Sequence, residues 1–142
     1  MPLSLNVKKL VADAKLPEYA HHGDAAFDLY IPETLTIKPG ERVQIPTGVA
    51  MEIPYGYVGL IWDKSGLSHK YGLKTLGGVI DAGYRGEVKV GMINLGTEAY
   101  TFEKGHKIAQ MIIQKREETL ITEVSNIENS ERGDAGFGST GK

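Results

Sequence analysis

The chain has 142 residues, 41% hydrophobic and 24% charged, which suffices for one domain with a real core and is ordinary for a globular protein. A formal net charge of -2 argues against a nucleic-acid footprint, so a bound anion must meet locally placed cations. With no cysteine there are no disulfides or thiolate metal sites, and with no long apolar run neither a signal peptide nor a membrane span is expected; the composition fits a reducing, cytoplasmic setting.

Apolar residues alternate with others in Leu35–Ile37, Val43–Ile45, Val58–Trp62 and Val88–Met92, and a period of two predicts strands. Lys38-Pro39-Gly40-Glu41 and Ile53-Pro54-Tyr55-Gly56-Tyr57 predict turns, because proline presets φ and glycine supplies a positive φ. Trp62, on an alternating strand, reads as core or interface packing. Ser65–Tyr71 is the one segment that predicts a helical turn, with Ser65 as its cap. The run from Lys107 to Gln114 is apolar on both faces and suits a strand covered on both sides. Turn signals recur at intervals of about ten residues, a spacing that predicts an all-β sandwich, jelly roll or barrel.

Two segments carry the chemistry. In Gly77-Gly78-Val79-Ile80-Asp81-Ala82-Gly83-Tyr84-Arg85-Gly86-Glu87-Val88, glycines flank a short apolar pair, then an aspartate, then an aromatic in a turn. This predicts a β-hairpin whose backbone approaches something closely. Asp81 at its bend is free to act on a water, although by residue type alone a turn-capping aspartate is the plainer reading. Residues 125–142 form a polar tail that cannot bury enough apolar surface to order itself, set off from a β domain over 1–124. The tail's composition suits a nucleotide: Gly138 allows close backbone approach, Ser139 and Thr140 offer hydroxyls, Arg132 a planar fork and Phe137 a stacking face. It reads as a mobile flap over a ligand.

Gly78–Gly86 resembles the third motif of the trimeric deoxyuridine triphosphatases (dUTPases), and the tail resembles their fifth. Ala25-Ala26-Phe27-Asp28-Leu29 resembles the first, Lys64-Ser65-Gly66-Leu67-Ser68 the second, and Gly105-His106-Lys107-Ile108-Ala109-Gln110 the fourth. Five motifs in the family's order span residues 20 to 142 and lift Asp81 from turn cap to catalyst. The resemblance implies a jelly roll or distorted β-barrel that assembles as a homotrimer, with each active site at a subunit boundary. It implies hydrolysis of dUTP at the α-phosphorus to dUMP and pyrophosphate with Mg²⁺, and neither nucleic acid nor membrane as partner.

By the same resemblance, Asp81 is the general base that activates water, and Tyr84 lies against the deoxyribose and excludes a 2′-hydroxyl. Gly78, Ile80 and Lys89 belong to the hairpin that reads uracil. Lys64, Ser65, Gly66 and Gln110 contact phosphates. Asp28 supports the metal through water. Phe137 stacks on uracil while Arg132, Gly138, Ser139 and Thr140 grip phosphates. The chain departs from the family pattern at Lys64, which stands for arginine and loses the bidentate fork. Asp63 stands for proline and adds a negative charge that Lys64 or a metal would have to absorb, and His106-Lys107 stands for an Asp-Arg pair. Two other functions stay open: a dCTP deaminase of the same fold family, and a nucleotide-binding module without catalysis.

Overall fold

The structure is a computed structural model that describes residues 2–141; Met1 and Lys142, the last residue of the expected tail, lie outside the described residues. The described residues fold into ten strands and one short helix: β1 (Asn6–Lys9), β2 (Phe27–Tyr30), β3 (Leu35–Ile37), β4 (Arg42–Glu52), β5 (Tyr57–Trp62), α1 (Ser65–Tyr71), β6 (Leu73–Leu76), β7 (Val79–Ile80), β8 (Glu87–Asn94), β9 (Tyr100–Phe102) and β10 (Lys107–Lys115). Every alternating run lies inside a strand, and Gly40 and Gly56 hold the positive φ that their turns require (φ 80° and 88°).

Strands β1-β4-β8-β6 form one antiparallel sheet and β2-β10-β5-β7 a second; β3 and β9 pair on their own. The two four-stranded sheets share one core, as a jelly roll requires. Ile45, Val49, Val88, Val90 and Met92 come from the first, and Phe27, Leu29, Ile61, Ile108 and Met111 from the second. Burying side chains of this size contributes about 1.5–3 kcal/mol each. β10 is central, pairing with β2 on one side and β5 on the other. Its Ile108, Ala109 and Met111 are buried while Ile112 and Ile113 are half-buried, so the doubly apolar strand has one face in the core and the other partly open.

Two expectations are corrected. Residues 77–88 are not a hairpin: β7 pairs with β5, at Gly59↔Ile80 and Leu60↔Val79, while β8 pairs with β4 and β6. The turn between β7 and β8 therefore crosses from one sheet to the other. Local turn residues signal a bend but carry no information about which distant strand is the partner. The cap of α1 is also one residue earlier than expected. Lys64 is the N-cap, with extended backbone and no side-chain cap bond, and Ser65 is already helical. Among the described residues no strand follows Lys115, so the irregular segment begins before residue 125.

Candidate active site

A cavity of about 560 Å³ opens where the end of β5 and the start of α1 meet β2 and β10. Chain pairing explains who lines it. Gln110 lies opposite Asp28 on one side and Trp62 on the other, so three segments converge on one patch of sheet. Asp28, Lys64, Ser65 and Gln110 line the cavity together with Ser68 and His69. Gly66 is exposed in the first turn of α1 beside them. Gln110 Nε2 donates to the Asp63 carbonyl at 2.7 Å, which fixes the approach to the helix. Trp62 is 53% exposed and lines the same cavity, correcting the core reading: the indole stands at the open end of β5.

Asp28 is an ionised group in an otherwise apolar buried strand, and its side chain is 3% exposed. Such a charge needs partners. Lys64 Nζ donates to Oδ1 at 2.6 Å. Lys107 Nζ is 3.2 Å from Oδ2 but out of line for a hydrogen bond, so it acts there as a charge. Burial pushes the Asp28 carboxyl up, and the two ammonium groups outweigh it, leaving the group below its ordinary value of 3.8. In return, the Asp28 carboxylate beside it raises Lys107. Lys107 thus supports Asp28, a role its place in a strand sequence did not reveal.

Asp63 is not neutralised by Lys64, contrary to one expectation. Lys74 pairs with its Oδ2 at 2.8 Å, and Oδ1 accepts from the Thr75 backbone N–H at 2.6 Å and the Thr75 hydroxyl at 2.8 Å. Burial pushes its carboxyl up; Lys74 and Thr75 bring it below the ordinary value. The extra negative charge is spent on fastening β6 to the loop before α1.

Gly78 and Lys89 line a different cavity, of about 540 Å³, with Arg42 and Gln44. The close approach expected at Gly78 is to β5: a β-carbon there would lie 2.8 Å from Ile61 Cβ and 3.2 Å from Ile61 O. Ile61 N–H donates to the Gly78 carbonyl at 2.9 Å. Ile80, half-buried, packs on the core and anchors the strand just before Asp81. Asp81 and Tyr84 are exposed on the crossing turn, which the Tyr84 N–H closes onto the Asp81 carbonyl at 3.1 Å.

The tail touches neither cavity. Phe137 is fully exposed, at 114%, with a positive φ of 51°. Gly138, Ser139 and Thr140 are exposed, and Arg132 bonds only to its own loop, through Ala135 O. One chain therefore brings together Asp28, Lys64, Ser65 and Gln110. It holds Gly78 and Lys89 elsewhere, with Asp81 and Tyr84 on the turn after β7, and leaves the tail residues apart.

Among the described residues no group of three or more His, Cys, Asp or Glu could hold a metal ion by itself. Asp28, the best-placed carboxylate, already faces two ammonium groups. This donor set fits an ion carried on phosphate oxygens and met through water, and does not fit a resident protein cage.

The sequence model of the dUTPase family matches residues 12–141. A deoxyuridine 5′-triphosphate nucleotidohydrolase of Clostridium kluyveri is 48% identical over 141 residues, covering 98% of this chain and 99% of the relative. That of Nautilia profundicola is 45% identical over 142 residues, covering 99% and 100%. Among solved structures, the Staphylococcus bacteriophage 80alpha dUTPase with dUPNHPP is 35% identical, with a TM-score of 0.92 over 98% of this chain and 99% of that one. A mutant dUTPase from S. aureus phage phi11, described with a structural Mg(II) ion, is 31% identical, with a TM-score of 0.82 over 89% and 100%.

Proposed function

We propose, because the chain belongs to the dUTPase family, that it hydrolyses dUTP to dUMP and pyrophosphate, keeping uracil out of DNA and supplying dUMP for dTTP synthesis. The main support from the geometry is that one cavity gathers Lys64, Ser65 and Gln110, which come from two separate motifs assigned to phosphate contact. Phosphoryl transfer of this kind asks the protein chiefly for positioning and charge neutralisation.

In this reading Asp81 takes a proton from a water lined up with the α-phosphorus. Tyr84 stands against the deoxyribose, where a 2′-hydroxyl would need room. Gly78, Ile80 and Lys89 present the strand edges that meet uracil. Lys64, Ser65, Gly66 and Gln110 hold phosphate oxygens. Asp28 would hold a bound Mg²⁺ only through water, and the ion would supply charge neutralisation at those oxygens. Residues 125–142 fold over the nucleotide, Phe137 on the base and Arg132, Gly138, Ser139 and Thr140 on the phosphates.

The separation of these groups within one chain supports a homotrimer in which each site is completed across subunit boundaries. One subunit supplies Asp81 and Tyr84, another supplies Lys64–Gly66 and Gln110, and the third supplies the tail beyond the 1–124 domain. We place the activity in the cytoplasm, where a chain without cysteine fits a reducing compartment. No helix among the described residues is long and apolar enough to cross a membrane.

The test is incubation with Mg²⁺ and each of dUTP, dCTP, UTP and dTTP, following pyrophosphate and ammonia. Pyrophosphate from dUTP and little from the rest is expected. Ammonia from dCTP would instead indicate a deaminase, and binding without turnover a nucleotide-binding module.

A further inference from the structure

We infer that Gly86 is a specificity-determining residue, acting through Tyr84 by leaving room for its ring. The inference rests on the dUTPase reading, in which that ring stands against the sugar. The Tyr84 hydroxyl donates to the Glu87 carbonyl at 2.7 Å, which folds the side chain back along its own turn. The ring then occupies the space where residue 86 would carry a side chain. A β-carbon on Gly86 would lie 2.5 Å from Tyr84 Oη, 2.7 Å from Cζ and 3.0 Å from Cε1. Atoms cannot share that space; one of them must move.

The backbone does not demand glycine here. Gly86 is absent from the positions of positive φ, so alanine there meets no left-handed strain. The cost of a methyl group therefore falls on the ring. Tyr84 is 45% exposed, so core packing does not hold it in place. Two other contacts fix the frame on which the ring is hung. Arg85 Nη1 donates to Ala82 O at 2.6 Å and to Tyr84 O at 3.1 Å, bracing the backbone of the turn. Glu87 Oε2 accepts the Gly48 N–H at 2.9 Å, tying the residue that receives the tyrosine hydroxyl to β4. With the frame braced, a filled position 86 displaces the aromatic barrier and leaves the fold intact. The displaced ring no longer stands where a ribose differs from a deoxyribose.

The experiment compares kcat/KM for dUTP and for UTP, with Mg²⁺, in the parent, Gly86→Ala, Tyr84→Ala and the double variant. Gly86→Ala is expected to lower the dUTP-to-UTP ratio by about tenfold or more, a span typical of pocket-shape discrimination. Its Tm is expected to stay within about 2 °C of the parent. Added to Tyr84→Ala, it is expected to change the ratio no further, since no ring remains to displace. An unmoved ratio in Gly86→Ala, or an equal drop with and without the tyrosine, overturns the inference. If Gly86→Ala does not fold, Tyr84→Phe removes only the hydroxyl tether and is expected to lower the ratio about threefold; no change there overturns it as well. A parent that shows no preference for dUTP overturns the functional reading and this inference together. A parent that prefers dUTP, with an unmoved variant, overturns this inference alone.

Discussion

Lys64 Nζ lies 2.6 Å from Asp28 Oδ1, so the cation assigned to phosphate already has a buried anion to serve. Lys64 lines the cavity with its side chain 27% exposed. If Lys64 serves phosphate as proposed, Lys107 is the counter-charge left beside Asp28. Lys64→Met removes the closer partner from a buried carboxylate and is expected to cost about 1–3 kcal/mol, less than loss of a sole partner because Lys107 remains. Urea unfolding measures it. Combining it with Asp28→Asn should recover most of that loss, and an additive double variant would refute the coupling.

The same carboxylate sets a pH limit on stability. Asp28 and Asp63 both titrate below 3.8 in the folded chain. A depressed folded value means that the unfolded chain takes up protons first as pH falls. The stabilisation is therefore complete above 3.8 and is lost as pH drops below it. Tm measured from pH 6 downward, the neutral side being set by ordinary carboxylate titration near about 4, is expected to fall less steeply in Asp28→Asn than in the parent. Parallel curves would show that the lysines do not act on this group as charges.

Asp81→Asn keeps the size of the side chain and removes the charge and the proposed base. The expected loss in kcat is about 10²–10⁴-fold, with nucleotide affinity retained. Titration with a non-hydrolysable dUTP analogue checks the second half. Unchanged turnover removes Asp81 from the proton transfer.

Gly78→Ala tests a structural role at a residue also assigned to uracil. Its β-carbon would meet backbone and side chain of Ile61 at 2.8–3.2 Å. Neither is the free end of a long chain, so β5 and β7 must part. A destabilisation of about 1–3 kcal/mol is expected. A stable variant with raised KM would instead make Gly78 a pure binding position.

Removing residues 125–142 should separate binding from folding. Among the described residues, the last hydrogen bond from this end of the chain to the body is Arg116 N–H to Gly56 O. Unfolding free energy is expected to change by less than about 0.5 kcal/mol, as for other surface changes. kcat/KM for dUTP should fall by about tenfold or more, as for loss of substrate positioning. Phe137→Ala should move in the same direction, and parent-like kinetics in both would end the flap reading.

These contrasts show what a one-dimensional reading reaches. Period two reveals strands such as Val58–Trp62 and Val88–Met92 because it is a property of neighbours. The convergence of Asp28, Lys64 and Gln110 came through motif resemblance, since nothing between residues 28 and 110 reports that β10 runs beside β2. Residues 77–88 carry hairpin signals without forming one because the partner of Val79 and Ile80 lies some twenty residues upstream, in β5. Lys74 beside Asp63 was invisible for the same reason. Gly86 looks like any turn glycine in sequence; only the folded-back tyrosine distinguishes it.

Asp81 follows Ile80, paired to Gly59 in one sheet, and precedes Val88, fully buried in the other. The turn that carries Asp81 thus crosses a seam between two layers, and the aim of its carboxylate depends on how firmly they are clamped. If Asp81 is the base, as proposed, slippage too small to melt any strand will already swing its oxygen off line, given the sub-ångström tolerances of such chemistry. On warming, this protein is therefore set to lose turnover while its circular dichroism is still that of the native fold, and repacking the seam with bulkier aliphatics is the way to extend its working range.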